Sequence, residues 1–284
     1  MKCNLVMRRK MWQLTTSYPD CCYQLARLLS GSVYRGSSMP RGNGEPVLLI
    51  PGFLAGDWSL RVMAGWLSRL GYRPHLSGIA CNVRDPNKTG ELLAQRLPYL
   101  VRETGSPVII VGHSLGGMLA RFLGAHFPEF VSHVVAVGSP IRNFPQAAHP
   151  FVRFAFLASQ VLWKEVMREP PPDLFGFIQR VSSPLPQEVG FTAIFSKQDE
   201  IVDWRACLDP QGDNREVSGR HVGLVVNPEV YSVLAGVLAT CSQRKEVRPT
   251  RRVFLVLSYL TRRFFSSYNR RPVVNTYTFL PSCR

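Results

Sequence analysis

Val108-Ile109-Ile110-Val111-Gly112-His113-Ser114-Leu115-Gly116-Gly117 changes character halfway along. Its first four residues are continuously apolar and mostly β-branched, the mark of a short strand buried on both faces. After Gly112 the spacing turns helical, and Leu115 to Phe127 reads as a helix closed by Pro128. Ser114 therefore stands in the bend between a strand and a helix. Side chains at Gly112 or Gly116 would collide with the neighbouring elements there, so the two glycines are what the bend requires. A serine is a weak nucleophile unless a base removes its proton and its approach is open. The bend supplies the open approach, and the helix that follows aims its positive end at the same place.

Outward from this stretch, short apolar runs alternate with helical patterns, the signature of a sheet with covering helices. Val47 to Ile50 is a buried strand ended by Pro51-Gly52. Asp57 caps a helix carrying Leu60, Met63, Trp66, Leu67 and Leu70, stopped by Gly71. His75 to Ala80 is expected to be the next strand, and Thr89 to Thr104 a helix ending before Gly105. Downstream, Val134 to Val137 and Phe191 to Phe195 read as strands, and Pro228 to Cys241 as the last helix. The expected fold class is α/β, a mostly parallel central sheet with helices on both faces and a helical, lid-like insertion.

That insertion is 141–190, which breaks the rhythm. It is rich in aromatics (Phe144, Phe151, Phe154, Phe156, Trp163, Phe175, Phe177) and interrupted by Pro170-Pro171-Pro172. Its expected role is a lid or apolar wall above Ser114, the plainer alternative being a helical hairpin packed on the sheet. The expected organisation is a poorly defined leader over 1–44, a domain over 45–243 that includes the insertion, and a basic tail over 244–284.

The base is expected late in the chain. His221, in Ser218-Gly219-Arg220-His221-Val222-Gly223, lies in a loop ahead of the last helix. His75, His113, His126, His133 and His149 sit in or at the ends of elements, or in the insertion. A base needs an acid to orient it and to stabilise its charged form. Asp199 lies at the first turn after the strand Phe191–Phe195, with Glu200, Asp203 and Asp209 as rivals. The order Ser114, Asp199, His221 is that of a strand-to-helix serine with a late base. Charge developing on a substrate oxygen needs two N–H donors. They are expected from the backbones of Leu115 and of Phe53, in the loop Pro51-Gly52-Phe53-Leu54.

With these residues in place, the chain resembles the bacterial lipase/esterase-like branch of the α/β-hydrolase superfamily. The resemblance rests on strand-Pro51-Gly52-Phe53, Gly112-His113-Ser114-Leu115-Gly116-Gly117, Asp199-Glu200-Ile201-Val202-Asp203 and Arg220-His221-Val222-Gly223, and covers 45–241. It implies a Ser-Asp-His triad, an acyl-enzyme intermediate, ester hydrolysis and no cofactor or metal. Many relatives have His-Gly where this chain has Pro51-Gly52, a departure that bears on the oxyanion loop and substrate range. An acyltransferase or thioesterase with the same triad is the enzymatic alternative. A non-catalytic α/β-hydrolase-like binding protein is the alternative of another class. A haloalkane dehalogenase is disfavoured, since that chemistry needs a carboxylate where Ser114 stands.

Charge and cysteines set further bounds. Of the net +15, the tail 244–284 carries ten Lys or Arg against Glu246, so +9 belongs to the tail and +6 to the rest. Such a tail, with Phe254, Phe264, Phe265 and Tyr268, suits peripheral contact with an anionic membrane, or is simply solvated. No recognition motif accompanies the charge, so nucleic acid is not an expected partner; a small-molecule or lipid ester is. No apolar core follows the early Lys2, Arg8, Arg9 and Lys10, so no clear signal peptide is read and the expected compartment is cytoplasmic, with membrane association through the tail. No run of about 18 apolar residues is present to span a membrane. The seven cysteines form no CxxC pair. Cys81 and Cys207 are expected as buried thiols, a disulfide between them being the alternative.

Overall fold

A computed structural model describes residues 17–37, 39–168 and 172–245. Most of the basic tail lies outside the described residues. Its central layer is a six-stranded sheet in the order β2-β1-β3-β4-β5-β6, every neighbouring pair parallel. The strands are β1 (Pro46–Ile50), β2 (Arg73–Leu76), β3 (Val108–His113), β4 (Val131–Val137), β5 (Gly190–Phe195) and β6 (Asp213–Glu216). Helices cover both faces, as the doubly buried apolar strands require.

Alternation along each strand sorts the core. Val47, Leu49, Ile109, Val111, Val135, Val137 and Ile194 face one layer, formed by α1 (Ser17–Ser30), α3 (Arg61–Arg69) and α9 (Pro228–Lys245). Trp66 of α3 and Tyr231 of α9 are fully buried there, ring centroids 4.7 Å apart. The residues between them in the strands face α5 (Leu97–Thr104) and α6 (Leu115–His126), with α4 (Pro86–Ala94) and α8 (Leu174–Ser182) packed against α6. A short helix α2 (Ser32–Arg35) follows α1, and α7 (Pro150–Met167) lies between β4 and β5.

Several elements differ from the sequence reading. The second strand is Arg73–Leu76, not His75 to Ala80. It ends early because the Asp57 carboxylate takes the amides of Ser77 (3.1 Å) and Gly78 (2.7 Å) out of the ladder. The single helix expected over Thr89 to Thr104 is two. Asp85 caps the first at the Asn87 amide (2.9 Å), and the second begins at Leu97-Pro98, where proline's missing N–H is tolerated. Strand β6, all exposed and polar, carries no apolar alternation that a sequence reading could use. Within the stretch read as leader, α1 buries Leu28 completely in the core. Cys207 is a buried thiol, but Cys81 is exposed in the irregular connection after β2, and both are free.

Candidate active site

Ser114 is the residue between β3 and α6, with φ 53° and ψ −121°. A side chain with Cβ rarely occupies that region, and such strain persists only where the surroundings enforce it. The surroundings are visible in the glycines. A Cβ on Gly112 would collide with the Gly116 carbonyl, one on Gly116 with the Ile50 carbonyl, and one on Gly117 with the Ser139 hydroxyl. The Ser114 amide donates to the Val137 carbonyl (2.8 Å), pinning the bend to β4.

The loop after β1 crosses the bend at close range. A Cβ on Gly52 would lie 3.1 Å from the Ser114 Cβ and 3.0 Å from the His113 Nδ1. The Asn82 side chain holds this loop by donating to the Pro51 carbonyl (2.8 Å). Among the described residues, the amides of Phe53 and Leu115 donate to no backbone or side-chain acceptor. Leu115 also opens α6, where the helix dipole favours negative charge.

His221 and Asp199 meet at this end of the sheet. The His221 Nδ1–H donates to the Asp199 Oδ2 at 2.6 Å, and both side chains are almost wholly buried. The Asp199 Oδ1 accepts from the amides of Ile201 and Val202, each at 2.8 Å, so both carboxylate oxygens are engaged. Because Nδ1 carries the donated proton, Nε2 of a neutral His221 is left as an acceptor. Burial alone would lower the His221 pKa; the charge and hydrogen bond of Asp199 and the charge of Glu200 outweigh it, and the net shift is upward.

His113 ties this pair to Ser114. Its ring lies 4.7 Å from that of His221, and its Nε2–H donates to the His221 carbonyl at 3.1 Å. Burial and the neighbouring His221 push its pKa down to about 3, so it is a neutral donor. Gly138, at the end of β4 with φ 55°, lies beneath the pair, and a Cβ there would come within 3.4 Å of the Asp199 Oδ2 and the His221 Nδ1.

Two of the rival carboxylates are occupied elsewhere, and the third holds the backbone of the His221 loop. Asp203 is half exposed and caps the Arg205 amide at 3.0 Å. Asp209 is buried against Arg121 at 2.7 Å. Glu200 is buried beside the His221 loop, accepting from the His221 amide at 3.4 Å. The roles of His113 and Gly138 escaped the sequence reading. A glycine directly after a strand was a signal for the second, whereas His113 gave none beyond its place in the bend.

Helix α7 reaches the loop that follows β1. Buried Phe156 packs edge-to-face on Phe53 (5.3 Å, 75°) and on Phe144 (5.1 Å, 81°). Phe151, Phe154, Val161 and Leu162 of the same helix are exposed. No helix among the described residues is long and apolar enough to cross a membrane.

The chain belongs to the alpha/beta hydrolase fold family, whose model matches residues 45–191. That span contains Phe53, Ser114 and Leu115 but ends before Asp199 and His221. Curated relatives include a triacylglycerol lipase of Pseudarthrobacter phenanthrenivorans, 28% identical over 107 residues that make up 34% of this chain and 34% of the relative. A triacylglycerol lipase of Burkholderia plantarii is likewise 28% identical over 107 residues, 34% of this chain and 30% of its own. The match thus spans only about a third of either lipase. Among solved structures, the mature Bacillus licheniformis lipase BlEst2 superposes with a TM-score of 0.52 at 14% identity, over 71% of this chain and 94% of that one. The structure reported for the metagenome-derived lipolytic enzymes LipS and LipT gives 0.53 at 16% identity, over 72% and 96%. At these identities the structural likeness speaks for the fold.

Proposed function

We propose that the chain is a serine hydrolase of carboxylic esters, with Ser114 as nucleophile, His221 as base and Asp199 as the orienting acid. The observation that carries this reading is the 2.6 Å Asp199–His221 hydrogen bond, linked through His113 to a strained Ser114. The partial match to proteins named triacylglycerol lipases supports the ester as substrate class.

In the proposed reaction, the His221 Nε2 takes the Ser114 hydroxyl proton as the oxygen attacks the ester carbonyl. The carbonyl oxygen becomes an oxyanion held by the Phe53 and Leu115 amides. The intermediate collapses to an acyl-serine, and the imidazolium gives its proton to the departing alcohol. Water, deprotonated by the same imidazole, then attacks the acyl-serine; the acid leaves and the proton returns to Ser114. Asp199 takes no proton in these steps and keeps the imidazole in its Nδ1–H tautomer. The aromatic face of α7, reaching Phe53 through Phe156, is proposed as the apolar wall for the acyl group and as a lid over it.

Hydrolysis of p-nitrophenyl esters by the wild type and Ser114→Ala tests the reading. Wild-type turnover should fall by about three orders of magnitude or more in the variant, with the melting temperature retained. Equal turnover in the two proteins would remove Ser114 from the mechanism.

A further inference from the structure

The loop that carries His221 is held almost atom by atom. Four consecutive amides each donate to a different side chain: Ser218 to Glu229 (2.8 Å), Gly219 to Gln198 (2.9 Å), Arg220 to Asp20 (3.1 Å) and His221 to Glu200 (3.4 Å). The Gly219 carbonyl accepts from Ser196 at 2.6 Å, and the Ser218 carbonyl from Asn227 at 2.7 Å. One of these anchors is unlike the rest. Asp20 belongs to α1, which precedes the first strand of the sheet, whereas Glu229, Gln198 and Glu200 all follow β5.

The glycines bracketing His221 explain how α1 gets so close. A Cβ on Gly223 would lie 2.5 Å from the Asp20 Oδ2 and 3.4 Å from the Gln24 Cγ. One on Gly219 would lie 3.4 Å from the Gln24 Nε2 and 2.7 Å from the Asn227 Nδ2. Gln24 is buried and donates to the Asp20 Oδ1 at 3.4 Å, steadying the carboxylate. Gly219 also needs its φ of +104°, but no positive φ marks Gly223. Space for Asp20 is thus a reason for a glycine at 223 that backbone geometry does not supply.

We infer that α1 is a strut for the His221 loop, with Asp20 as a positioning residue that holds the base in line with Ser114. The inference rests on the proposed role of His221. Its logic is that of preorganisation: a base displaced by a fraction of an ångström still binds substrate nearby but takes the proton less well. Loss of Asp20 therefore acts on kcat more than on KM. The packing of α1 is carried separately, by Leu28 and its neighbours in the core, so the helix stays docked when the carboxylate is removed.

The test uses the full chain and p-nitrophenyl butyrate, with kcat, KM and melting temperature measured for six proteins, Ser114→Ala among them. Asp20→Ala should lower kcat by between about 10- and 100-fold with KM within about twofold and the fold retained. Asp20→Asn keeps an acceptor oxygen for the Arg220 amide and should recover most of kcat. Gly223→Ala should lower kcat through the clash, and the Asp20→Ala/Gly223→Ala double variant should be no worse than Asp20→Ala, because the clashing carboxylate is gone. A wild-type kcat in Asp20→Ala, or equal losses in Asp20→Ala and Asp20→Asn, would overturn the strut while leaving the hydrolase reading intact. Absence of Ser114-dependent turnover in the wild type, judged against Ser114→Ala, would overturn both.

Discussion

Opposing forces act on the His221 imidazole. Burial disfavours its charged form, while Asp199 at 2.6 Å and the buried Glu200 favour it, and the attraction wins. A base must be neutral to accept a proton, so kcat/KM should rise with pH through a midpoint above 6.5, the ordinary imidazole value. Asp199→Asn removes the larger attraction and misorients the ring. A pH–rate profile should then show the midpoint shifted down and kcat lowered by roughly 10³–10⁴-fold. An unchanged profile would detach Asp199 from the base. At this scale Ser114, Asp199 and His221 can be picked out from order and spacing, because each follows a strand or precedes a helix. Asp20 and His113 cannot, since a contact across 200 positions, or between neighbouring rings, leaves no periodic trace.

Apolar periodicity made the buried elements legible. Strands β1, β3, β4 and β5 and helices α3, α6 and α9 were read to within a few residues, because each has a face committed to the core. The elements missed or shifted lack that apolar signature or have an end set by polar contacts. Strand β2 stops where Asp57 captures two amides, β6 is polar throughout, and α1 follows a stretch without a recognisable pattern. For α7 the decisive contact is Phe156 against Phe53. Phe156→Ala opens room in the wall, and the ratio of kcat/KM for octanoate over acetate p-nitrophenyl esters should change by roughly tenfold in favour of the longer chain. A ratio unaltered by the substitution would argue that α7 only packs on the loop.

Across the whole molecule, the net charge lies at the two ends of the sequence, +6 over 1–44 and +9 over 244–284, and membrane contact by the tail concerns residues mostly beyond those described. The folded domain still has a predictable response to acid. His113 is held neutral in the fold with a pKa of about 3, whereas the unfolded chain takes up its proton near 6.5. Between those values the unfolded state binds more protons, so stability falls as pH drops from 6.5 towards 3. Melting curves across that window should show a steeper acid-side loss for the wild type than for His113→Asn; parallel curves would contradict the buried neutral histidine. Whether Ser114 is the nucleophile is read by labelling with a fluorophosphonate probe followed by peptide mapping. One adduct is expected, on Ser114 of the folded wild type, and none in Ser114→Ala of equal stability. A folded wild type that takes no label, or a label that persists in Ser114→Ala, would contradict that role.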